Sequence, residues 1–348
     1  MNVTTKGLLL TEPGKIKIVE RNLSWKIGED SLLRILFATI CGSDIRISKY
    51  GDSRITEPRI LGHEIVARVV ESGCSTKFKA GDVIAVGADI PCGECTFCLS
   101  NKSNLCLKHI AFGYQLDGGF SEYMVIPKEH VDLAPIVRIN ESPSIATYAL
   151  AEPTGCAING LQFSNVVNTD NILIFGGGPV GIILALLANL MIGIPKVKIL
   201  MIEPSSERRD FVNSLGIATA SSEIDIVKHD SFFNGASQIF TATSAAITHQ
   251  SALKNIASGG TINFFGGIPK DSPDLTVHAN ELHYREIKIG GSHGSRPRDH
   301  AMAVEIITEN MEIWTHLLTR TYSIDKYKEV FSQAQTASSL KLGFQFEE

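Results

Sequence analysis

Four cysteines around position 100 have the spacing of a metal site. Cys92, Cys95, Cys98 and Cys106 form the pattern C-x2-C-x2-C-x7-C, with Gly93 at the tight turn. Four thiolates at this spacing can close around one small ion and leave no open position, which is typical of tetrahedral structural zinc. The sequence therefore predicts a structural zinc held by these four cysteines.

A second group of possible metal ligands precedes the first along the chain. Cys41 offers a thiolate, His63 an imidazole and Glu64 a carboxylate. These are too few strong ligands to close a coordination shell, and an unfinished shell is what a catalytic metal needs. We therefore predict a second, catalytic zinc, which would bind a substrate hydroxyl, lower its pKa and stabilise the developing alkoxide.

The size and composition of the chain limit what surrounds these groups. With 348 residues the chain exceeds the size at which one hydrophobic core usually stops growing, so two domains are expected. Its 44% hydrophobic and 20% charged residues are typical of a globular protein in water. The net charge of −5 argues against a nucleic-acid-binding protein, because phosphate contacts need a basic face.

Cysteine usage and hydropathy bear on location. The seven cysteines are an odd number, and the apolar run Leu8-Leu9-Leu10 is too short for a secretory signal, so we expect reduced thiols and a cytoplasmic protein. The uncharged stretch from Ile172 to Ile194 is long enough to suggest a membrane span. Glycines and a proline interrupt it, so no membrane span is expected.

Two regions differ in their hydrophobic patterns. From Leu32 to Pro127, short β-like runs alternate with glycine, proline and polar turns, which predicts a mainly β first domain that carries the metal ligands. From Asn171 onward, continuous apolar runs alternate with helical patterns, which predicts a doubly wound α/β domain with a parallel sheet. The segment after Gly290 does not extend this alternation cleanly.

The second region contains a candidate dinucleotide site. The apolar run Ile172–Phe175 leads into Gly176-Gly177-Gly178-Pro179-Val180-Gly181 and then an apolar helix, as a G-x-G-x-x-G loop requires. Glu203 ends the next strand, where a carboxylate would accept the ribose hydroxyls of NAD and repel the 2′-phosphate of NADP. Arg208 or Arg209 could instead hold a 2′-phosphate, with the solvent face of the next helix as the alternative position. We predict NAD.

Taken together, these segments resemble the zinc-containing medium-chain dehydrogenase/reductase superfamily over essentially the full length. The resemblance implies a GroES-like β domain of residues 1–152 and 291–348, to which the C-terminal tail returns, and a Rossmann domain of residues 153–290. Its motifs are Cys41-Gly42-Ser43-Asp44, Gly62-His63-Glu64, the four-cysteine segment, Asp117-Gly118-Gly119-Phe120-Ser121-Glu122-Tyr123, Glu152-Pro153 and the glycine loop.

Ala151-Glu152-Pro153 resembles the sorbitol (L-iditol 2-) dehydrogenase and polyol dehydrogenase branch of that superfamily. The resemblance implies that Glu152 stands where other members place a cysteine ligand, so Glu64 and Glu152 both remain candidates for the catalytic zinc. Cys156 is interpreted as a buried thiol. Ser43 resembles the proton relay of the family. Arg46 occupies the position of a relay histidine and cannot carry protons near neutral pH, so water or the cofactor ribose takes that step.

The resemblance also implies the reaction, with NAD and two zinc ions per chain as cofactors. A polyol as the small-molecule substrate would lose hydride to NAD and become a ketose. Polyol phosphates, cyclitols and L-threonine are alternatives, and a non-catalytic NAD-binding regulator is an alternative of a different class. A homo-oligomer, either a tetramer or a dimer, is expected.

Family position further suggests substrate-contacting residues in the cleft. Tyr50, Phe112 and His293 are the candidates, with core packing as the alternative for Phe112 and a surface position as the alternative for Tyr50. Arg296 and Arg298 could present cations to a substrate phosphate, with solvation as the alternative.

Overall fold

The computed structural model describes residues 1–223, 226, 229–336 and 339–347. It divides the chain into two compact units, Met1–Gly155 with Gly294–Glu348 and Cys156–His293. The expected limits at residues 152 and 291 lie close to these boundaries.

In chain order, the strands of the described residues are β1 (Asn2–Glu12), β2 (Lys15–Ser24), β3 (Ser31–Thr39), β4 (Arg59–Ile60), β5 (Glu64–Glu71), β6 (Val83–Val86), β7 (Asp89–Ile90), β8 (Ile110–Ala111), β9 (Tyr123–Ile126), β10 (Ile136–Ile139), β11 (Ile172–Phe175), β12 (Ile199–Ile202), β13 (Ala218–Ala220), β14 (Ala236–Thr241), β15 (Ile256–Phe264), β16 (Lys288–Gly291), β17 (Leu318–Tyr322) and β18 (Lys341–Gln345).

In the same order, the α-helices are α1 (Gly42–Tyr50), α2 (Thr96–Leu99), α3 (Lys128–Val131), α4 (Ala151–Phe163), α5 (Pro179–Leu190), α6 (Ser206–Ser214), α7 (Ile247–Asn255), α8 (Ala279–Arg285), α9 (Pro297–Glu309), α10 (Met311–Thr315) and α11 (Tyr327–Gln333). Short 3-10 turns lie between some of these elements.

The first unit is dominated by a sheet in the order β10-β6-β5-β3-β18-β17, with β9 also paired to β3. Its central strand β3 is almost entirely buried, as its apolar sequence predicts. The C-terminal strand β18 pairs antiparallel with β3, with Gly343 opposite Thr39. This pairing explains why the tail does not continue the α/β alternation, and it carries Lys341 into the first unit.

The second unit is a parallel sheet in the order β13-β12-β11-β14-β15-β16. This is the order of a doubly wound dinucleotide-binding fold. The strands β11 and β12 are fully buried, as expected of parallel strands with both faces covered. The sequence prediction of a doubly wound sheet is therefore confirmed.

The uncharged stretch from Ile172 to Ile194 becomes strand β11 followed by helix α5, which has 12 residues. Within the described residues, every helix is too short or too polar to cross a membrane.

Two elements near the N-terminus were not predicted. The hairpin β1-β2 pairs from Asn2 opposite Ser24 to Glu12 opposite Lys15, and β2 carries a near-alternating pattern of exposed and partly buried positions that signals a strand.

Candidate active site

Three of the predicted catalytic metal ligands converge in the first unit. The ligand atoms of Cys41, His63 and Glu64 all lie within 4.8 Å of one another. Cys41 is the residue before helix α1, His63 precedes β5 and Glu64 begins that strand. One thiol, one imidazole and one carboxylate are donors that zinc accepts, and they leave room for a substrate oxygen, so the residues fit a catalytic zinc.

Asp44 fixes the positions of two of these ligands. Its carboxylate accepts hydrogen bonds from the backbone N–H groups of Cys41, at 2.9 Å, and Gly62, at 3.3 Å. Its Oδ1 also lies 3.4 Å from Nδ1 of the buried His63 ring. Burial lowers the pKa of His63, but the charge and hydrogen bond of Asp44, together with Cys41 and Tyr114, outweigh it and raise this pKa well above its ordinary value. A carboxylate behind a ligating histidine sets which ring nitrogen faces the metal.

Glu64 is also bound by a residue of the C-terminal strand. Lys341 Nζ lies 2.6 Å from Glu64 Oε2, contacts Oε1 as well, and donates to the carbonyl of Ile40 at 3.2 Å. The Thr39 hydroxyl also donates to Glu64. Lys341 and Glu64 are both buried. Neither Lys341 nor Thr39 was predicted from the sequence, because β18 joins β3 only in the folded chain.

Glu152 and Cys156 lie on helix α4, with Glu152 in its first turn and buried. Cys156 is only partly buried, so the prediction of a buried thiol is wrong in that respect. Burial lowers the pKa of Lys341, but the charge of Glu64 and, more weakly, those of Cys41 and Glu152 leave it raised. One lysine therefore responds to both candidate carboxylates. Which of Glu64 and Glu152 binds zinc stays a prediction.

Ser43 lies beside the predicted zinc ligand His63, and its role as a proton relay stays a prediction. Its Oγ lies 3.4 Å from Nε2 of His63. Beside it, the Tyr114 ring centroid lies 5.7 Å from that of His63, and burial raises the pKa of the Tyr114 hydroxyl, so it stays neutral near pH 7. Tyr114 was missed in the sequence, although it follows the candidate Phe112 by two positions. Arg46 points to Asp52, with Nη2 3.4 Å from the carboxylate.

The four cysteines of the second predicted site also converge. The sulfur atoms of Cys92, Cys95, Cys98 and Cys106 all lie within 4.8 Å of one another, and the thiols are free. Cys106 Sγ accepts the N–H groups of Cys92, at 3.2 Å, and Lys108, at 3.3 Å. Backbone N–H groups lower the pKa of Cys95 to about 6, whereas burial raises the pKa of Cys106 and raises that of Cys98 to about 12. The cluster fits a closed zinc site.

The glycine loop of the second unit has the geometry its sequence predicts. Gly176 has a φ of 108°, and a Cβ there would meet the Ala242 carbonyl oxygen at 2.7 Å. A Cβ at Gly181 would meet the Gly176 carbonyl oxygen at 2.0 Å, which fixes close packing of helix on strand. Gly178 caps α5, Pro179 and Val180 begin it, and a Cβ at Gly178 would meet no atom within 4 Å. An open backbone at a helix N-terminus fits a pyrophosphate.

Glu203 lies directly beside this loop. Its carboxylate accepts the N–H groups of Gly177, at 2.7 Å, and Ser205, at 2.8 Å. Arg208 Nη1 lies 4.0 Å from Glu203, whereas Arg209 donates to the backbone carbonyls of Glu203 and Pro204. Glu203 is therefore fixed at the end of β12, and Arg209 stabilises the turn that follows it.

The residues predicted to contact substrate lie in positions that fit this role less well than the metal ligands fit theirs. Tyr50 is 78% exposed, and Phe112 is 0% exposed within the core of the first unit, so the surface and packing alternatives are favoured. The backbone carbonyl of His293 accepts from Asn159 in the second unit. Arg296 pairs with the buried Asp299 through two nitrogens, at 2.6 and 2.9 Å. Arg298 Nε lies 3.8 Å from the same carboxylate. The phosphate role of these arginines stays a prediction; their two guanidinium groups share the one carboxylate of Asp299.

Comparison with known proteins identifies the family of this chain. Residues 28–136 match the alcohol dehydrogenase GroES-like domain, and residues 179–309 match the zinc-binding dehydrogenase family. The chain is 30% identical to D-altritol 5-dehydrogenase of Agrobacterium fabrum over 94% of this chain and 95% of the relative. It is 27% identical to D-arabitol-phosphate dehydrogenase of Enterococcus avium, over 98% and 97% of the two chains. The crystal structure of an alcohol dehydrogenase from Thermotoga maritima superimposes with a TM-score of 0.88 at 21% identity, over 99% of this chain and 100% of the other.

Proposed function

Because the chain belongs to the zinc-dependent medium-chain dehydrogenase family, we propose that it oxidises one secondary hydroxyl of a polyol to the ketone of a ketose, with NAD as hydride acceptor. The observation that carries this proposal is the convergence of Cys41, His63 and Glu64 within 4.8 Å. The relatives named for altritol and arabitol phosphate support a polyol as the substrate.

The residues of the first unit have separate tasks in this proposal. Cys41, His63 and one of the two buried carboxylates hold zinc, which when bound lowers the pKa of a substrate hydroxyl and stabilises negative charge on its oxygen. Ser43 would take the proton that the hydroxyl loses and pass its own hydroxyl proton on to water or the cofactor ribose; its Oγ lies 3.4 Å from His63 Nε2. Arg46 does not take part, because a guanidinium stays protonated near neutral pH.

A polyol suits this site better than a simple alcohol. The carboxylates Glu64 and Glu152 are both buried in the first unit, and only one is needed as a metal ligand. The other can accept a hydrogen bond from a second hydroxyl of the substrate. A substrate with one hydroxyl lacks this hydrogen bond and would be bound less well.

NAD is the proposed cofactor because Glu203 is fixed beside the glycine loop by two backbone N–H groups. Its negative charge accepts ribose hydroxyls and repels a 2′-phosphate. Two zinc ions per chain are proposed, one in each cluster. We also propose a cytoplasmic homo-oligomer, a tetramer or a dimer, from the family resemblance and the free thiols. Light scattering that gives a monomer would contradict the assembly.

The test is NAD reduction at 340 nm against free pentitols and hexitols, their phosphates, inositols, L-threonine and simple alcohols. We expect turnover with at least one polyol, at higher kcat/KM with NAD than with NADP. Cys41→Ser should abolish turnover while NAD binding is kept. Cys74→Ser is the matched control, because Cys74 is exposed and lies outside both clusters. Full activity of Cys41→Ser would refute the zinc mechanism and favour a different reaction.

A further inference from the structure

A fixed cation lies next to the catalytic cluster. The Cζ atom of Arg54 lies 3.9 Å from the centroid of the Tyr114 ring, a cation–π contact. Tyr114 is itself 7% exposed, and its ring centroid lies 5.7 Å from that of His63. Two successive contacts therefore connect the guanidinium to a predicted zinc ligand.

Asp52 holds this guanidinium in one orientation. Arg54 Nε lies 2.9 Å from Asp52 Oδ1, and Arg54 Nη2 lies 3.0 Å from Oδ2. The backbone N–H of Arg54 also donates to Oδ1 at 3.0 Å. A bidentate pair stacked on an aromatic ring leaves arginine little rotational freedom, so little entropy is lost when it binds a ligand.

The charges around Arg54 do not cancel. Arg46 also approaches Asp52, with Nη2 3.4 Å from Oδ2, so two guanidinium groups share one carboxylate. We call Arg46, Asp52, Arg54 and Tyr114 the Arg54 cluster. It carries a formal charge of about one positive unit, from two arginines and one aspartate.

Part of Arg54 remains open to a ligand. Its side chain is 30% exposed, although one face of the guanidinium stacks on the Tyr114 ring and two of its nitrogens bind Asp52. Arg296, the sequence candidate for the same task, is 11% exposed, and its Nη1 donates to the Asn101 carbonyl at 3.4 Å. Arg54 also has the chain of contacts to His63 described above, so it is the better candidate for reaching a substrate held at the cluster.

We propose that Arg54 binds an anionic group, a carboxylate or a phosphate, at the far end of a polyol whose reacting hydroxyl lies at the cluster of Cys41, His63 and Glu64. This inference rests on the proposed function and narrows its substrate to an anionic polyol. The contacts of 3.9 and 5.7 Å put the Arg54 Cζ atom less than about 10 Å from the His63 ring centroid, a span comparable with a polyol chain that carries a terminal anion. A planar guanidinium matches the oxygens of either anion through parallel hydrogen bonds.

The test compares three probes with the same carbon chain, D-glucitol, D-gluconate and D-glucitol 6-phosphate. Their binding to the zinc-loaded, NAD-bound enzyme is measured by calorimetry, and kcat/KM is measured where there is turnover. The variants are Arg54→Gln and, as a matched control, Arg320→Gln. Arg320 also stacks on a tyrosine, with Cζ 5.0 Å from the Tyr322 ring, but lies on β17.

We expect the wild-type enzyme to bind at least one anionic probe roughly tenfold or more tightly than D-glucitol, and Arg54→Gln to remove that preference. The Arg320→Gln variant should keep it. If Arg54→Gln loses only the preference for D-gluconate, the bound anion is a carboxylate. If it loses only the preference for D-glucitol 6-phosphate, the bound anion is a phosphate. The inference is overturned if the wild-type enzyme shows no preference for an anion. It is also overturned if Arg54→Gln loses as much affinity for D-glucitol as for the anions. In either case turnover of neutral polyols would leave the proposed function standing. A preference for the anionic probes without turnover of any polyol would refute the proposed reaction and leave the anion site standing.

Discussion

Lys341 Nζ lies 2.6 Å from Oε2 of Glu64, and both side chains are buried. The two residues are 277 positions apart, and the pairing of β18 with β3 brings them together. Each charge therefore compensates the other in a place that water does not reach. Without Lys341 or a metal beside it, the Glu64 carboxylate would be a buried charge without compensation.

Lys341→Met should destabilise the first unit by about 3 kcal/mol or more, because it leaves the Glu64 charge buried without its partner. The double variant Lys341→Met/Glu64→Gln should recover part of that loss. Urea unfolding followed by tryptophan fluorescence measures it, since Trp25 and Trp314, the two tryptophans of the chain, both belong to the first unit. A single variant as stable as the wild type would show that the pair does not contribute to stability.

Asp44→Asn should weaken zinc binding at the catalytic cluster about 10- to 100-fold and leave the four-cysteine site unchanged. The reason is that Asp44 holds the Cys41 backbone and lies 3.4 Å from His63 Nδ1. Competition with a chromogenic chelator separates the two classes of zinc.

The Asp44→Asn variant should also change the pH dependence of zinc binding. Asp44 raises the pKa of His63, so in the wild type zinc must displace a proton from this ring below that raised pKa. The variant should lose that proton at lower pH. Identical affinity and pH dependence in the two proteins would contradict the orienting role.

The residues of the candidate catalytic cluster that belong to short sequence motifs were predictable. Cys41, His63 and Glu64 stand in motifs whose residue types predict a metal site, and the structure brings their ligand atoms together. Lys341 could not be found in this way, because strand pairing across 277 positions leaves no local signal. Tyr114 was missed because an isolated tyrosine after a glycine has no distinguishing spacing.

In the fold, too, local patterns were predictable from the sequence and long-range contacts were not. The doubly wound sheet was predictable because buried parallel strands such as β11 and β12 are continuous apolar runs. The return of the C-terminal tail came only from the family resemblance. Its pairing partner β3 and its register, with Gly343 opposite Thr39, depend on contacts within the folded unit.

Cys98→Ser should reduce the zinc content from two ions per chain to one. The lost ion is that of the four-cysteine cluster, where the Cys98 sulfur lies 3.5 Å from that of Cys95 and 3.9 Å from that of Cys92. Three thiolates bind zinc less tightly than four, and the segment from 92 to 106 should become sensitive to proteases. Elemental analysis and limited proteolysis measure both effects, with Cys74→Ser as control. Two ions retained in Cys98→Ser would contradict this site.

His300 predicts how the first unit responds to acid. The ring is fully buried on α9, its Nε2 lies 3.4 Å from the Ala85 carbonyl oxygen, and burial lowers the pKa of His300 from its ordinary value near 6.5 to about 4. The unfolded chain therefore takes up a proton at this residue before the folded chain does. The stability contributed by neutral His300 is complete above pH 6.5 and is lost as the pH falls from there towards 4, by about 3 kcal/mol.

His300→Gln should remove this part of the acid sensitivity while keeping a donor towards Ala85. The free energy of unfolding, measured with tryptophan fluorescence between pH 7 and pH 4, should fall less steeply in the variant than in the wild type. His316→Gln is the control, since His316 is exposed and belongs to the same unit. Because both variants keep the metal ligands, proton competition at those ligands cancels in the comparison. Parallel curves for wild type and His300→Gln would show that His300 does not titrate on unfolding in this range.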